Sequence, residues 1–277
     1  MGGVRGDQAA ADRGKYIFDA GGCASCHTDE KGGGAPLSGG TALETPFGTF
    51  YAPNITPDPD HGIGRWTDQE FLRAMREGVA PDGRHYYPAF PYTSYTKASE
   101  RDLLDLKAYL FSQPAVSRAS QPHDVGFPFS IRSLLWFWKL FNFDPSRWRS
   151  DPTKDTQWNR GSYLVEALSH CGECHTPRNF MGGTDKNQWM AGARLGAGKS
   201  VAPNLTSHEA GLAEWSEGDI AFALDLAITP DGEVLGDEMS LVVRHSTGRL
   251  TDADRTAIAD YIKSLPAKPS AVKSKTP

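Results

Sequence analysis

The chain carries one five-residue pattern twice, Cys23-Ala24-Ser25-Cys26-His27 and Cys171-Gly172-Glu173-Cys174-His175, and the two copies use all four of its cysteines. C-x-x-C-H is the attachment signal for a c-type haem. The two thiols add across the two vinyl groups of one macrocycle, and the adjacent histidine binds iron from the proximal side. With no cysteine left over, the pattern implies two covalently bound haem c groups. Paired cysteines in an oxidising compartment also form disulfides, but a histidine directly after both pairs argues against that use.

At 277 residues and 39% apolar, the chain has room for two small domains and a substantial connection. A formal charge of −5 offers no basic surface, so nucleic acid is not an expected partner. Haem propionates add further negative charge, which suits docking on a positive patch. No apolar run approaches the ~18 residues that a membrane span needs, so no transmembrane segment is expected. Met1-Gly2-Gly3-Val4 lacks the basic and apolar stretches of a signal peptide. Haem is attached to such motifs outside the cytoplasm. The expectation is therefore a periplasmic protein whose export signal has been removed and replaced by a start methionine.

The duplication extends beyond the motif. Arg13-Gly14-x-Tyr16 returns as Arg160-Gly161-x-Tyr163, and Ala52-Pro53-Asn54-Ile55-Thr56 as Ala202-Pro203-Asn204-Leu205-Thr206. Trp66-Thr67 matches Trp215-Ser216, Pro81-Asp82-Gly83 matches Pro230-Asp231-Gly232, and Ala108-Tyr109-Leu110 matches Asp260-Tyr261-Ile262. Each half reads as mostly helical. One helix is expected around 12–19, and another from Trp66 and Thr67 to Glu77, with Thr67 as N-cap and Glu70 three residues on. A closing helix starts near Ser99 and Asp102, with Leu103, Leu106 and Leu110 on one face. Thr251 and Asp254 open its counterpart, striped by Ile258, Ile262 and Leu265. Pro114 and Pro266 stop these helices.

This plan resembles class I cytochrome c domains. More narrowly, it is similar to the tandem cytochrome subunits of periplasmic alcohol, aldehyde and related dehydrogenases. The likeness rests on Asn159-Arg160-Gly161-x-Tyr163-Leu164-Val165, Cys171 to Asn179, both Pro-Asn-(Ile/Leu)-Thr segments and Pro81 to Ala89, and it covers roughly 12–266. Relatives in that group often have three haem domains; this chain has two. The expected organisation is mainly α: cytochrome c domain 1 at 8–116, an aromatic-rich strap at 117–157, cytochrome c domain 2 at 158–266 and a disordered tail at 267–277.

His27 and His175 are the expected proximal ligands, completing haem-binding sets with Cys23 and Cys26, and with Cys171 and Cys174. A methionine thioether is the usual distal donor in electron transfer because soft sulfur favours Fe(II) and raises the potential. Met239, in the loop before the last helix, occupies the place where class I domains present that ligand. The matched position in the first half is Phe90, and Ala98 stands where some relatives with that phenylalanine carry methionine. The sixth ligand of haem 1 is therefore open. A vacant or water-ligated iron ranks first, His85 second, and Met75, which aligns with Leu224 inside a helix, last. Trp66 and Trp215, and the Asn54/Thr56 and Asn204/Thr206 pairs, serve either propionates or local structure. His61, His123, His170, His208 and His245 lack ligand spacing and read as surface or structural.

Within the strap, Leu134 to Phe141 is strongly apolar. It reads as a packing element across both domains rather than a docking surface, because so many exposed aromatics would promote aggregation. The functional expectation is a periplasmic two-haem cytochrome. It takes single electrons from a dehydrogenase and passes them to a downstream cytochrome or oxidase, as a subunit or carrier more than as a self-contained enzyme. The alternative is a haem enzyme or ligand-binding protein acting on peroxide or nitric oxide at an open haem 1, with His85 and Arg84 as distal acid–base candidates.

Overall fold

The computed structural model describes residues 8–196 and 200–272; the start at Met1-Gly2-Gly3-Val4 and the tail residues Lys273 and Pro277 lie outside them. The first half runs from α1 (Gln8–Ala20) through the attachment helix α2 (Cys23–His27) to a hairpin of β1 (Ala42–Thr45) and β2 (Gly48–Tyr51). It closes with α3 (Asp68–Glu77), α4 (Tyr92–Tyr95) and α5 (Glu100–Phe111). After α6 (Leu134–Asn142), the order repeats as α7 (Thr156–Tyr163), α8 (Gly172–His175), β3 (Ala193–Leu195), β4 (Ser200–Ala202), α9 (Glu217–Leu226), α10 (Asp237–His245) and α11 (Asp252–Lys263). The fold is mainly α, with two short antiparallel hairpins.

The matched cap residues fix where the helices begin. Thr67 accepts from the Glu70 amide at 3.2 Å while the Glu70 carboxylate accepts from the Thr67 amide at 2.8 Å. Ser216 and Asp219 repeat this reciprocal box before α9, and such a cap is worth about 1 kcal/mol. Ser99 and Thr251 cap α5 and α11 through the amides of Asp102 and Asp254.

Within each half the first and last helices cross at a glycine. A Cβ at Gly14 would lie 1.8 Å from the Asp105 carbonyl oxygen, and one at Gly161 would lie 1.8 Å from that of Ala257. Only a hydrogen fits, so α1 packs directly on α5 and α7 on α11. Each crossing is latched by a bidentate ion pair. Arg13 donates to both Asp105 oxygens at 2.7 Å, and Arg160 donates to those of Asp254 at 2.8 and 2.6 Å.

The two halves meet through a reciprocal contact. Tyr16 donates to Asp254 at 2.5 Å and accepts from the Thr251 amide at 3.2 Å. Its counterpart Tyr163 donates to Asp102 and accepts from the Ser99 amide at 2.9 Å. Matched residues thus exchange roles across the seam, as in an isologous dimer interface. One apolar core, including Ile17, Phe18, Leu103, Leu106, Leu164, Leu168 and Ile258, runs through both halves.

Burial alone would raise the Asp254 carboxyl; the hydrogen bonds from Arg160 and Tyr16, with the guanidinium charge, outweigh it and hold the group below the ordinary carboxylate range. A depressed folded-state pKa contributes stability that is complete above the unfolded value of about 4 and disappears as pH falls through the lowered value. Urea unfolding is therefore expected to show declining stability below about pH 4, with a shallower decline in Arg160→Met. An unchanged acid limb in that variant would uncouple Asp254 from folding.

The strap touches both halves. Asp124 exchanges backbone hydrogen bonds with Thr49 at 2.8 and 2.9 Å. Trp138 donates its indole N–H to the Met181 carbonyl at 2.8 Å, and Leu135 packs with Phe50 and Tyr87. Lys139 is turned inward. Its ammonium donates to the carbonyls of Glu77 and Gly78 and to His85 Nδ1, and burial pushes it down to about 8. Packing nevertheless uses only one side of α6. Leu134, Trp136, Phe137, Leu140 and Phe141 stay more than half exposed, and Phe127 is 83% exposed. The helix is apolar all round, so its composition alone did not show which side is covered.

Candidate haem sites

The two attachment segments are built alike. Cys23 and Cys26 lie one helical turn apart on α2, as Cys171 and Cys174 do at the start of α8, and all four are free thiols. Burial pushes Cys23 and Cys171 up to about 12 and Cys174 to about 11, and raises Cys26 as well. Yet Cys174 is exposed and the other three are only half-buried.

His27 Nδ1 lies 2.8 Å from the Pro53 carbonyl oxygen, and His175 Nδ1 lies 2.9 Å from that of Pro203. The carbonyl accepts, so the proton sits on Nδ1 and the Nε2 lone pair is left for a metal. Burial also pushes both imidazoles below the ordinary histidine range, against a smaller upward pull from that hydrogen bond. Burial, the larger effect, favours the neutral, ligating form.

The Asn/Thr pairs hold the turn that presents this carbonyl. Asn54 Oδ1 accepts from the Thr56 amide and hydroxyl at 2.9 and 2.8 Å, and Asn204 accepts from Thr206 at 2.8 Å twice. Of the two roles open to them from sequence, the structure displays the local one. A further matched pair went unseen in the sequence. Leu37 and Met190 both adopt φ 61°, and their amides donate to Thr28 and Thr176 hydroxyls just past the histidines, at 3.1 and 3.0 Å. Their spacing from the motif differs between halves, so alignment by residue number passes over them.

On the opposite wall, Met239 lies on α10 rather than in the loop expected from sequence. The helix starts after Gly236 and buries Val243. Met239 is half-buried against the core together with Trp215; the first half offers Trp66, Leu72 and Phe90 in the same setting. His85 is held by Lys139 at 2.8 Å, and Arg84 pairs with Asp82 at 2.6 Å. His170, Ser246 and Tyr95 fill the seam. His170 Nε2 lies 3.2 Å from the Gly21 carbonyl oxygen, Ser246 donates to the Ala20 carbonyl at 3.0 Å, and the rings of Tyr95 and His170 are 5.6 Å apart. The segments that lead into the two attachment motifs therefore touch. His61 and His208 stay outside both clefts' hydrogen bonding, while His123 accepts from the Tyr51 amide and His245 faces Glu30 at 3.2 Å.

Paired free thiols and an imidazole with only Nε2 available, beside an apolar core, form a donor set that fits a thioether-bound haem. Such a site, repeated on a helical frame, defines a c-type haem protein. The cytochrome c family model matches residues 11–114. The chain is 49% identical over 260 residues to a diheme cytochrome c-type protein of Cereibacter sphaeroides, covering 93% of this chain and 86% of that one. It is 40% identical to the fructose dehydrogenase cytochrome subunit of Gluconobacter japonicus, over 92% of this chain and 52% of that one. With the alcohol dehydrogenase (quinone) cytochrome c subunit of Gluconobacter oxydans the figures are 37%, 95% and 56%. The chain thus spans about half the length of these dehydrogenase subunits. The chain belongs to the cytochrome c family. Covalently bound haem and electron transfer, rather than catalysis at an open iron, follow from that membership. Among the described residues no helix is long and apolar enough to cross a membrane.

Proposed function

We propose that the protein is a periplasmic two-haem electron carrier. Cys23, Cys26 and His27 hold one haem, and Cys171, Cys174, His175 and Met239 hold the other. Electrons enter singly from a dehydrogenase and leave to a downstream cytochrome or oxidase. The protein supplies fixed ligands, burial and separation, while redox chemistry belongs to the cofactor. The observation that supports this reading is the direct contact between the two attachment segments through His170 and Gly21, beside an apolar core that runs through both halves. Kinship with dehydrogenase cytochrome subunits supports the donor class. The rival peroxidase-like reading loses its acid–base pair, because His85 and Arg84 are engaged by Lys139 and Asp82.

Met239→Ala tests the second site. The variant is expected to lose one sulfur-to-iron charge-transfer band and to lower the potential of one haem in a spectroelectrochemical titration. An unchanged spectrum and titration would make Met239 a packing residue.

A further inference from the structure

We propose that Met75 supplies the distal sulfur donor for the haem held by Cys23, Cys26 and His27; the inference rests on the two-haem reading above. Two matched positions are compared across the repeat. In the second half, helix α9 carries Leu224 and the following segment carries Met239, both in the shared core. In the first half, helix α3 carries Met75 and the following segment carries Phe90, again both in that core. Each half thus holds one thioether and one hydrocarbon side chain at these positions, with the order exchanged. The position that is a hydrocarbon in one half is the thioether in the other.

Other donors in the first half are engaged elsewhere, exposed or weak ligands. Lys139 donates into His85 Nδ1 at 2.8 Å, so the imidazole proton sits on Nε2, and neither nitrogen keeps a free lone pair. His123 Nδ1 accepts from the Tyr51 amide at 3.1 Å, with its ring edge-on to Phe50 and Tyr87. His61 is exposed. Tyr95 donates to the Gly21 carbonyl at 3.3 Å, and burial together with the Glu173 carboxylate keeps Tyr92 a neutral phenol, a weak ligand. Phe90 lies among the rings of Tyr86, Tyr92 and Tyr95 at 5.7, 6.4 and 5.8 Å, and Ala98 is fully buried. Among the other described methionines, Met181 carries the carbonyl that receives Trp138, and Met190 is fully buried beside Thr176 in the second half. Met75 is 8% exposed on the inner face of α3 beside Phe71 and Ala74. Its unbranched thioether can adopt several rotamers.

The experiment uses the holoprotein. Mass spectrometry first counts haems; fewer than two would defeat the two-haem reading itself. In the reduced protein, proton NMR is then expected to show two strongly shifted methionine methyl signals, and carbon monoxide is expected to bind neither haem without denaturant. Met75→Leu installs the residue that the second half carries at the same place, a volume-conserving change that cores tolerate. It is expected to remove one methyl signal, keep the Met239 signal, lower one potential and admit one carbon monoxide per chain. With two haems attached, a single methyl signal in the parent protein would overturn the proposal. So would retention of both signals in Met75→Leu, or loss of both, since the last would mean a general disturbance of the core.

Discussion

A variant carrying Cys171→Ala and Cys174→Ala is expected to mature with one covalently bound haem per chain in place of two. Thioether bonds survive acid-acetone extraction, whereas a haem held only through iron is washed out. Mass spectrometry after extraction should show one haem addition, and the pyridine haemochrome absorbance per protein should halve. The reciprocal pair, Cys23→Ala with Cys26→Ala, should give the same count with a different spectrum, because the two halves differ at the matched positions Phe90 and Met239. A parent protein with a single addition, or a variant that keeps two, would contradict the assignment of one motif to each haem.

Gly161→Ala is expected to be the most damaging single-methyl change in the frame. The new Cβ would sit 1.8 Å from a backbone carbonyl oxygen of α11, which cannot rotate away as a side chain can. Overpacking of this kind costs about 3 kcal/mol or more, roughly 6–12 °C in Tm for a chain this size. Gly14→Ala should behave alike at the crossing of α1 and α5. Gly218→Ala is the control. It lies in the first turn of α9, where the nearest atom to a new Cβ is the Ser216 hydroxyl at 3.5 Å, and alanine is the better helix former by about 1 kcal/mol. Equal losses at Gly161 and Gly218 would remove the steric explanation.

The repeat made these glycines visible before any coordinates. Arg-Gly-x-Tyr occurs in both halves, and all three named residues have work at a helix crossing or at the seam. The capped helix starts at Thr67, Ser99 and Thr251 were legible for a related reason, since a side-chain oxygen three residues before its amide partner is a local signal. What the sequence hid is mostly non-local. The Pro53 and Pro203 carbonyls that orient the histidines lie 26 and 28 residues from their partners, and a backbone oxygen has no letter of its own. The hairpins leave no trace in the sequence, because four- and three-residue strands are too short to show an alternating pattern. Met239 is expected in a loop because it lies between Pro230-Asp231-Gly232 and the last helix, whereas Gly236 is the N-cap of a further helix, α10. The exposed side of α6 contradicts the expectation that its aromatics are covered; Trp138 and Leu135 face inward, and their neighbours along the helix do not.

The exchange of tyrosine and aspartate between the halves has a consequence for how the molecule behaves on dilution. Surfaces that are self-complementary in this way would otherwise hold two separate copies together, and such a pair would come apart as its concentration fell. Here a continuous chain joins them, so association is intramolecular at an effective concentration in the millimolar range. The hydrogen bonds of Tyr16 and Tyr163 and the shared apolar core then act within one molecule rather than between two. The spacing of the two Cys-x-x-Cys-His segments becomes a fixed property of one polypeptide, the same at nanomolar as at millimolar protein.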